Sequence, residues 1–149
     1  MPASAQVQAA TLDKFIEGWK TFTAEAWMET WSDDCKQQML PSTLGIPARF
    51  RTETAAFLPK LISVLKNYEM NVQHVVHDAS RNKAAIYVTS TAKTPWPDLD
   101  WTNEYAVFLT FTEDGTEINK FEEMVDTAFF QQFFPRLQQY LKEQVGSSH

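Results

Sequence analysis

One cysteine, four glycines and no cluster of basic residues distinguish this 149-residue chain, and each shortage closes off a class of function. The lone Cys35 rules out an intrachain disulfide framework and fits a reducing, cytoplasmic setting. Nothing glycine-rich resembles a phosphate-cradling loop or a dinucleotide fingerprint, and there is no G-x-S-x-G elbow. The three histidines, His74, His77 and His149, show no zinc-like spacing with each other or with carboxylates. A formal net charge of −6 without a basic face argues against nucleic acid and anionic membranes as partners. No apolar run approaches the roughly 18 residues of a membrane span. The first residues lack both the basic and the apolar segment of a secretory signal.

What is present is aromatic. Five Trp and eleven Phe are many for this length, and such an excess lines pockets and subunit interfaces as well as cores. The length favours one domain, expected over residues 11–143 between loose tails at 1–10 and 144–149.

Thr11 is placed to cap a helix whose apolar stripe is Leu12, Phe15, Ile16, Trp19 and Phe22. Thr23 caps a second, short helix, and Ser32-Asp33-Asp34 ends it. A strand-like or irregular segment then runs to Pro41, followed by a loop punctuated by Gly45 and Pro47. A third helix starts at Thr52 or Thr54, with Pro59 near its first turn. The period then falls from 3.6 to 2, with strands expected at 69–78, 83–93, 101–112 and 116–126. A closing helix is expected from Thr127 to about Lys142. Helices, then an antiparallel meander, then a helix is an α+β layout, with helices on one face of a curved sheet. Strand 101–111 is apolar on both alternations (Val107, Leu109 and Phe111 against Ala106 and Phe108), so both faces should be covered. A second subunit and the C-terminal helix are both open as the cover of the outer face.

The C-terminal hairpin places Asn103, Glu104, Tyr105, Glu122, Glu123 and Asp126 among apolar residues, which packing alone explains poorly. Three stretches here resemble the SnoaL-like proteins of the nuclear-transport-factor-2-like superfamily, in their fungal secondary-metabolism branch. They are Asp34-Cys-Lys-Gln-Gln-Met-Leu-Pro-Ser-Thr-Leu-Gly-Ile-Pro47, Asn103-Glu-Tyr105 on its strand to Phe111, and Glu113-Asp-Gly115 followed by Lys120-Phe-Glu-Glu-Met-Val-Asp126. The likeness covers about residues 11–143. It implies a cone-shaped α+β barrel around a deep apolar pocket, commonly a homodimer, working without metal or organic cofactor. Enzymes of this fold include polyketide cyclases, epoxide hydrolases, dehydratases and isomerases, so the fold alone does not select the reaction. The sequence departs from the branch at Gln37, where the Asp-Cys-x-His-Gln pattern has a histidine.

Which acid faces Tyr105 depends on the turn. A two-residue Asp-Gly turn pairs Phe111 with Ile118 and sets Tyr105 opposite Met124 and Asn103 opposite Asp126. A type I turn with Gly115 left-handed pairs Thr112 with Thr116 and sets Tyr105 opposite Glu123. The second is preferred, because Glu-Asp-Gly flanked by Thr suits it. Glu123 is then the candidate general acid or base, against the competing reading of a solvated carboxylate paired with Lys120 or Lys83. Tyr105 is the candidate proton donor, and Asp34 could reach the pocket mouth. Trp101, Asn103, His74, Tyr87, Trp31 and Asp126 are candidates for binding substrate, although Asp126 most simply prepares or caps the final helix with Thr127. The expected function is isomerisation or cyclisation of a hydrophobic, oxygenated polyketide, terpenoid or alkaloid intermediate by acid–base catalysis. Epoxide hydrolysis and non-catalytic binding are the rival readings, and a carboxylate buried in the cavity discriminates against the last.

Overall fold

Good helix formers at the N-terminus, Ala5-Gln-Val-Gln-Ala-Ala10, extend the first helix well ahead of the expected cap. In the computed structural model, which describes residues 4–146, helix α1 spans Ala5–Thr21. Ser4 is its cap, accepting from the Val7 amide at 3.2 Å. Thr11 lies inside the helix, and its hydroxyl donates to the Gly115 carbonyl at 2.6 Å. The loose tail expected over 1–10 is therefore helical from Ala5, held by Gln8, which bonds Asn82 at 2.6 Å. Of the loose tail expected over 144–149, residues 144–146 are the end of the closing helix, and positions 1–3 and 147–149 lie outside the described residues. Leu12, Phe15 and Trp19 form the buried stripe of α1.

Thr23 caps the short helix α2 (Ala24–Trp27), as expected, accepting from the Ala26 amide at 3.1 Å. α1 and α2 meet at Gly18. A Cβ there would sit 2.2 Å from the Ala26 carbonyl oxygen, a backbone atom that cannot step aside. Gly18→Ala is expected to destabilise the fold by about 2 kcal/mol or more, the upper range of overpacking costs. Urea denaturation checks it; an unchanged midpoint would show that the helix pair slides freely.

Strand β1 (Trp31–Leu40) follows, then a single 3₁₀ turn at Ser42–Leu44 and the short strand β2 (Arg49–Phe50). Helix α3 spans Arg51–Val64. Its start is held by Glu53, whose carboxylate accepts from the Phe50 amide at 3.2 Å. Pro59 lies well inside α3 rather than in its first turn, and Thr54 is a buried side chain rather than a cap. The strands β3 (Lys66–Asp78), β4 (Lys83–Lys93), β5 (Trp101–Phe111) and β6 (Ile118–Val125) lie close to their expected positions, and helix α4 (Thr127–Gly146) closes the chain.

The six strands make one curled sheet in the order β2-β1-β6-β5-β4-β3. Every neighbouring pair is antiparallel except β1 and β6, which run parallel. This one departure from a fully antiparallel sheet follows from connectivity. The segment through α3 carries the chain to the far edge, and the meander returns β6 beside β1 in the same direction. On β5, Trp101, Asn103, Tyr105, Val107, Leu109 and Phe111 are buried while Thr102, Glu104 and Phe108 are exposed, so the strand has one inner face.

Neither expected hairpin register is the observed one. Gly115 is left-handed (φ 75°), as a type I turn requires, with its amide bonded to the Thr112 carbonyl at 2.8 Å. The loop is longer than expected, however, since the Thr112 amide pairs with the Glu117 carbonyl at 2.8 Å. Phe111 pairs with Ile118, but Thr110 pairs with Lys120, so Asn119 is an extra residue. That bulge sets Tyr105 opposite Val125 and Val107 opposite Glu123. The shift from the preferred register is two residues, and two residues preserve the face. Glu123 therefore still points inward.

Candidate functional site

Four phenylalanines of α4 build one wall of a cavity over the inner face of the sheet. Phe129 stacks on Phe133 at 5.6 Å and Phe130 on Phe134 at 4.1 Å, the pairs formed by an i, i+4 spacing. Phe57, Leu58 and Leu61 of α3 supply another wall, and the sheet supplies Gln37, Arg49, Trp101, Asn103 and Glu123. The interior between them is narrow, about 50 Å³, and widens toward solvent at the mouth.

Glu123 is 7% exposed. Burial strips water from its carboxylate and raises its pKa to about 7, although Gln37 and Arg49 nearby act in the opposite direction. The Gln37 amide donates to Oε2 of Glu123 at 3.4 Å, a long bond. Gln37 is itself oriented by Thr54, whose hydroxyl donates to its Oε1 at 3.2 Å. Among the described residues none donates a hydrogen bond to Oε1 of Glu123, which stays available to a ligand. Asn103 is oriented from the other side: its Oδ1 accepts from the Glu104 amide at 2.9 Å, which leaves its NH₂ as the free donor on the cavity wall. The guanidinium of Arg49 lies 4.5 Å above the Phe57 ring and 3.9 Å from Sδ of Met39. The arrangement offers a base of near-neutral pKa, an amide donor and a cation inside aromatic walls.

No family model matches the sequence. The chain is 62% identical over 143 residues to the protein named Monooxygenase dmxR10 of Cryptosporiopsis sp. (strain 8999), spanning 96% of this chain and 95% of that one. It is 49% identical over 142 residues to Monooxygenase nsrS of Aspergillus novofumigatus, spanning 95% of each. The chain belongs to the same family as these fungal proteins. Its fold matches the crystal structure of BvnE pinacolase from Penicillium brevicompactum with a TM-score of 0.81 and 21% identity, over 91% of this chain and 93% of that one.

Within this fold only part of the expected site assembles. Glu123, Asn103 and Trp101 line the cavity together. Tyr105 shares their face but lies behind the wall, its hydroxyl bonded to Ser90, which also accepts from Trp101 Nε1 at 2.8 Å. It supports Trp101 rather than reaching the cavity. Asp34 is exposed, bonded to the Ser32 hydroxyl at 2.7 Å, because Cys35 takes the inward position of β1. Trp31 is fully buried against Phe121, in the core instead of the cavity. His74 and Tyr87 do pair, with ring centroids 6.0 Å apart, but neither lines the cavity and His74 is exposed. Asp126 caps α4, accepting from the Phe129 amide at 3.2 Å. Arg49, Thr54 and the phenylalanines of α4 were not anticipated. Gln37 was visible only as the place where the family's histidine is missing, yet its amide occupies the contact to the buried acid. Among the described residues, no group of His, Cys, Asp or Glu is arranged to hold a metal ion, and no helix is long and apolar enough to cross a membrane.

Proposed function

We propose that the chain is an enzyme of fungal secondary metabolism that isomerises or cyclises a hydrophobic, oxygenated intermediate, with Glu123 moving the proton. The observation that carries this reading is a buried carboxylate of near-neutral pKa lining an aromatic cavity. Such a group takes a proton from carbon or oxygen and returns it elsewhere at physiological pH. The Asn103 NH₂ is the donor for an oxygen that gains charge, and the dry walls strengthen that interaction. A pure binding module has little use for a buried acid without a counter-ion in contact, which costs stability. Epoxide opening is less well supported, because it asks for two acids and Asp126 lies outside the cavity.

The names of the relatives favour a second reading, oxygenation. Here Glu123 takes a proton from an activated CH₂ group, and the electron-rich anion reacts with O₂ directly. The carbon becomes a carbonyl with one oxygen atom and the other leaves as water, so the substrate supplies the electrons. One experiment separates the two. The intermediate that accumulates in a producing strain lacking the gene is incubated with purified protein in D₂O beside an oxygen electrode. Deuterium at a carbon of the product without oxygen uptake supports isomerisation or cyclisation; stoichiometric oxygen uptake supports oxygenation and removes the first reading.

The outer sheet face supports a homodimer. Val76 is 64% exposed, Phe108 45% and Met124 38%. Val76 and Phe108 both flank Ala85, and Met124 pairs with Ala106, so they share one patch. Sedimentation is expected to show a dimer that Phe108→Glu converts to monomer. A wild-type monomer at high micromolar concentration would remove this assignment.

A further inference from the structure

The cation at the cavity mouth is the feature the acid–base reading leaves unused. Of the four arginines, Arg51, Arg81 and Arg136 each contact a carboxylate, at 3.5, 3.6 and 2.6 Å. Arg49 has none. Its neighbours are the Phe57 ring and the Met39 sulfur, and among the described residues no oxygen accepts a hydrogen bond from its guanidinium. Glu123 is close enough to influence it but forms no ion pair with it, and one Glu123 oxygen is engaged by Gln37. A partly buried guanidinium with only a weak sulfur acceptor is an expensive arrangement, and buried polar groups in native proteins are generally partnered. The ring beneath it fixes its plane and leaves its N–H edge as the binding surface.

Arg49 also stands at a junction. It lines both the aromatic cavity and a shallower groove between the 43–46 loop and α4, and Phe130 and Phe134 are shared in the same way. A molecule reaching the Glu123 end from that groove passes the guanidinium.

We propose that this site selects a planar aromatic substrate bearing an acidic oxygen, a phenol or an enol beside a carbonyl, and that Arg49 binds it as the oxyanion. The planar fork of arginine matches two coplanar oxygens, one charged and one carbonyl, better than a point charge does. The phenylalanine walls take the ring face. The site balances one negative charge: with Arg49 cationic, either the ligand or Glu123 is ionised, but not both without cost. A ligand arriving as the neutral acid breaks its O–H bond, the proton joins the Glu123 carboxylate, and the oxyanion remains on Arg49. This inference deepens the acid–base reading and rests on it only for that proton transfer.

The test is a pair of probes that differ in charge and by one methyl group. 2-Hydroxy-1,4-naphthoquinone is an anion at neutral pH with a neighbouring carbonyl, and 2-methoxy-1,4-naphthoquinone is its neutral ether. Titration calorimetry on the wild type is expected to show the anion bound at least ~10-fold more tightly, the scale of a hydrogen bond to a charged group. Arg49→Met should equalise the two probes, and Arg49→Lys should keep part of the difference. Glu123→Gln should retain the full preference, which separates failure of this inference from failure of the proton-shuttle assignment. Equal affinities in the wild type, no binding of either probe at millimolar concentration, or a preference that survives Arg49→Met overturns the proposal.

Discussion

Glu123→Gln is expected to lower turnover by ~10²-fold or more, the usual scale of positioned acid–base catalysis. The amide is nearly isosteric, so the fold and the substrate affinity should survive, and the loss should appear in kcat rather than KM. Its partners support the same expectation. Gln37 donates to Oε2 and can do so to either a carboxylate or an amide oxygen, so the replacement does not disturb the wall. Wild-type activity should rise with pH through about 7, as a base that must first lose its proton requires. That limb should vanish in the variant. Asp126→Asn is the control: exposed, and engaged in capping α4, it should leave turnover near wild type. The assay uses the intermediate that accumulates in a strain lacking the gene. Normal turnover by Glu123→Gln would remove the acid–base assignment.

The fold was legible wherever periodicity reports on local structure. The boundaries of β4 and β5 and the cap at Thr23 came directly from alternation and side-chain chemistry. The start of α1 did not, because Ala5–Ala10 carries no strong apolar stripe and its docking through Gln8 to Asn82 is a tertiary bond. The parallel pairing of β1 with β6 depends on where the segment through α3 delivers the chain, which no local pattern records. The hairpin shows the limit most clearly. Loop length and the bulge at Asn119 each shift pairing by one residue, and the shifts combine to preserve the face of Glu123 while changing its partner. The inward position of Glu123 was therefore expected for a reason only half right. Asp34 was misplaced because the segment after α2 already belongs to strand β1, whose inward positions are Cys35, Gln37 and Met39, and its pairing with β6 is irregular between Trp31 and Lys36. Arg49 was invisible, since a two-residue strand carries no period, and its lack of a carboxylate partner exists only in three dimensions.

The same burial that tunes Glu123 should make stability depend on pH, in a direction opposite to that of an ordinary paired carboxylate. In the unfolded chain this group titrates near 4.5, and in the fold near 7. The folded state thus holds the proton more tightly. With the group protonated, below about pH 4.5, the fold carries none of this cost. As pH rises from there through 7 the cost of an ionised buried carboxylate grows, and above 7 it reaches about 3 kcal/mol. Asp78, Asp98 and Asp114 act in the other direction. Hydrogen bonds hold their pKa values below the usual range, so whatever they contribute is lost as pH falls. The raw stability curve therefore mixes both effects, and a difference between variants isolates Glu123. Urea denaturation of wild type and Glu123→Gln at pH 5 and pH 8.5 makes the comparison. The variant's advantage is expected to grow by about 2 to 3 kcal/mol between the two, since part of the cost is already present at pH 5. A difference that does not change with pH would mean that the carboxylate is hydrated in the folded state, and an ordinary acid at this position could not shuttle protons near neutrality.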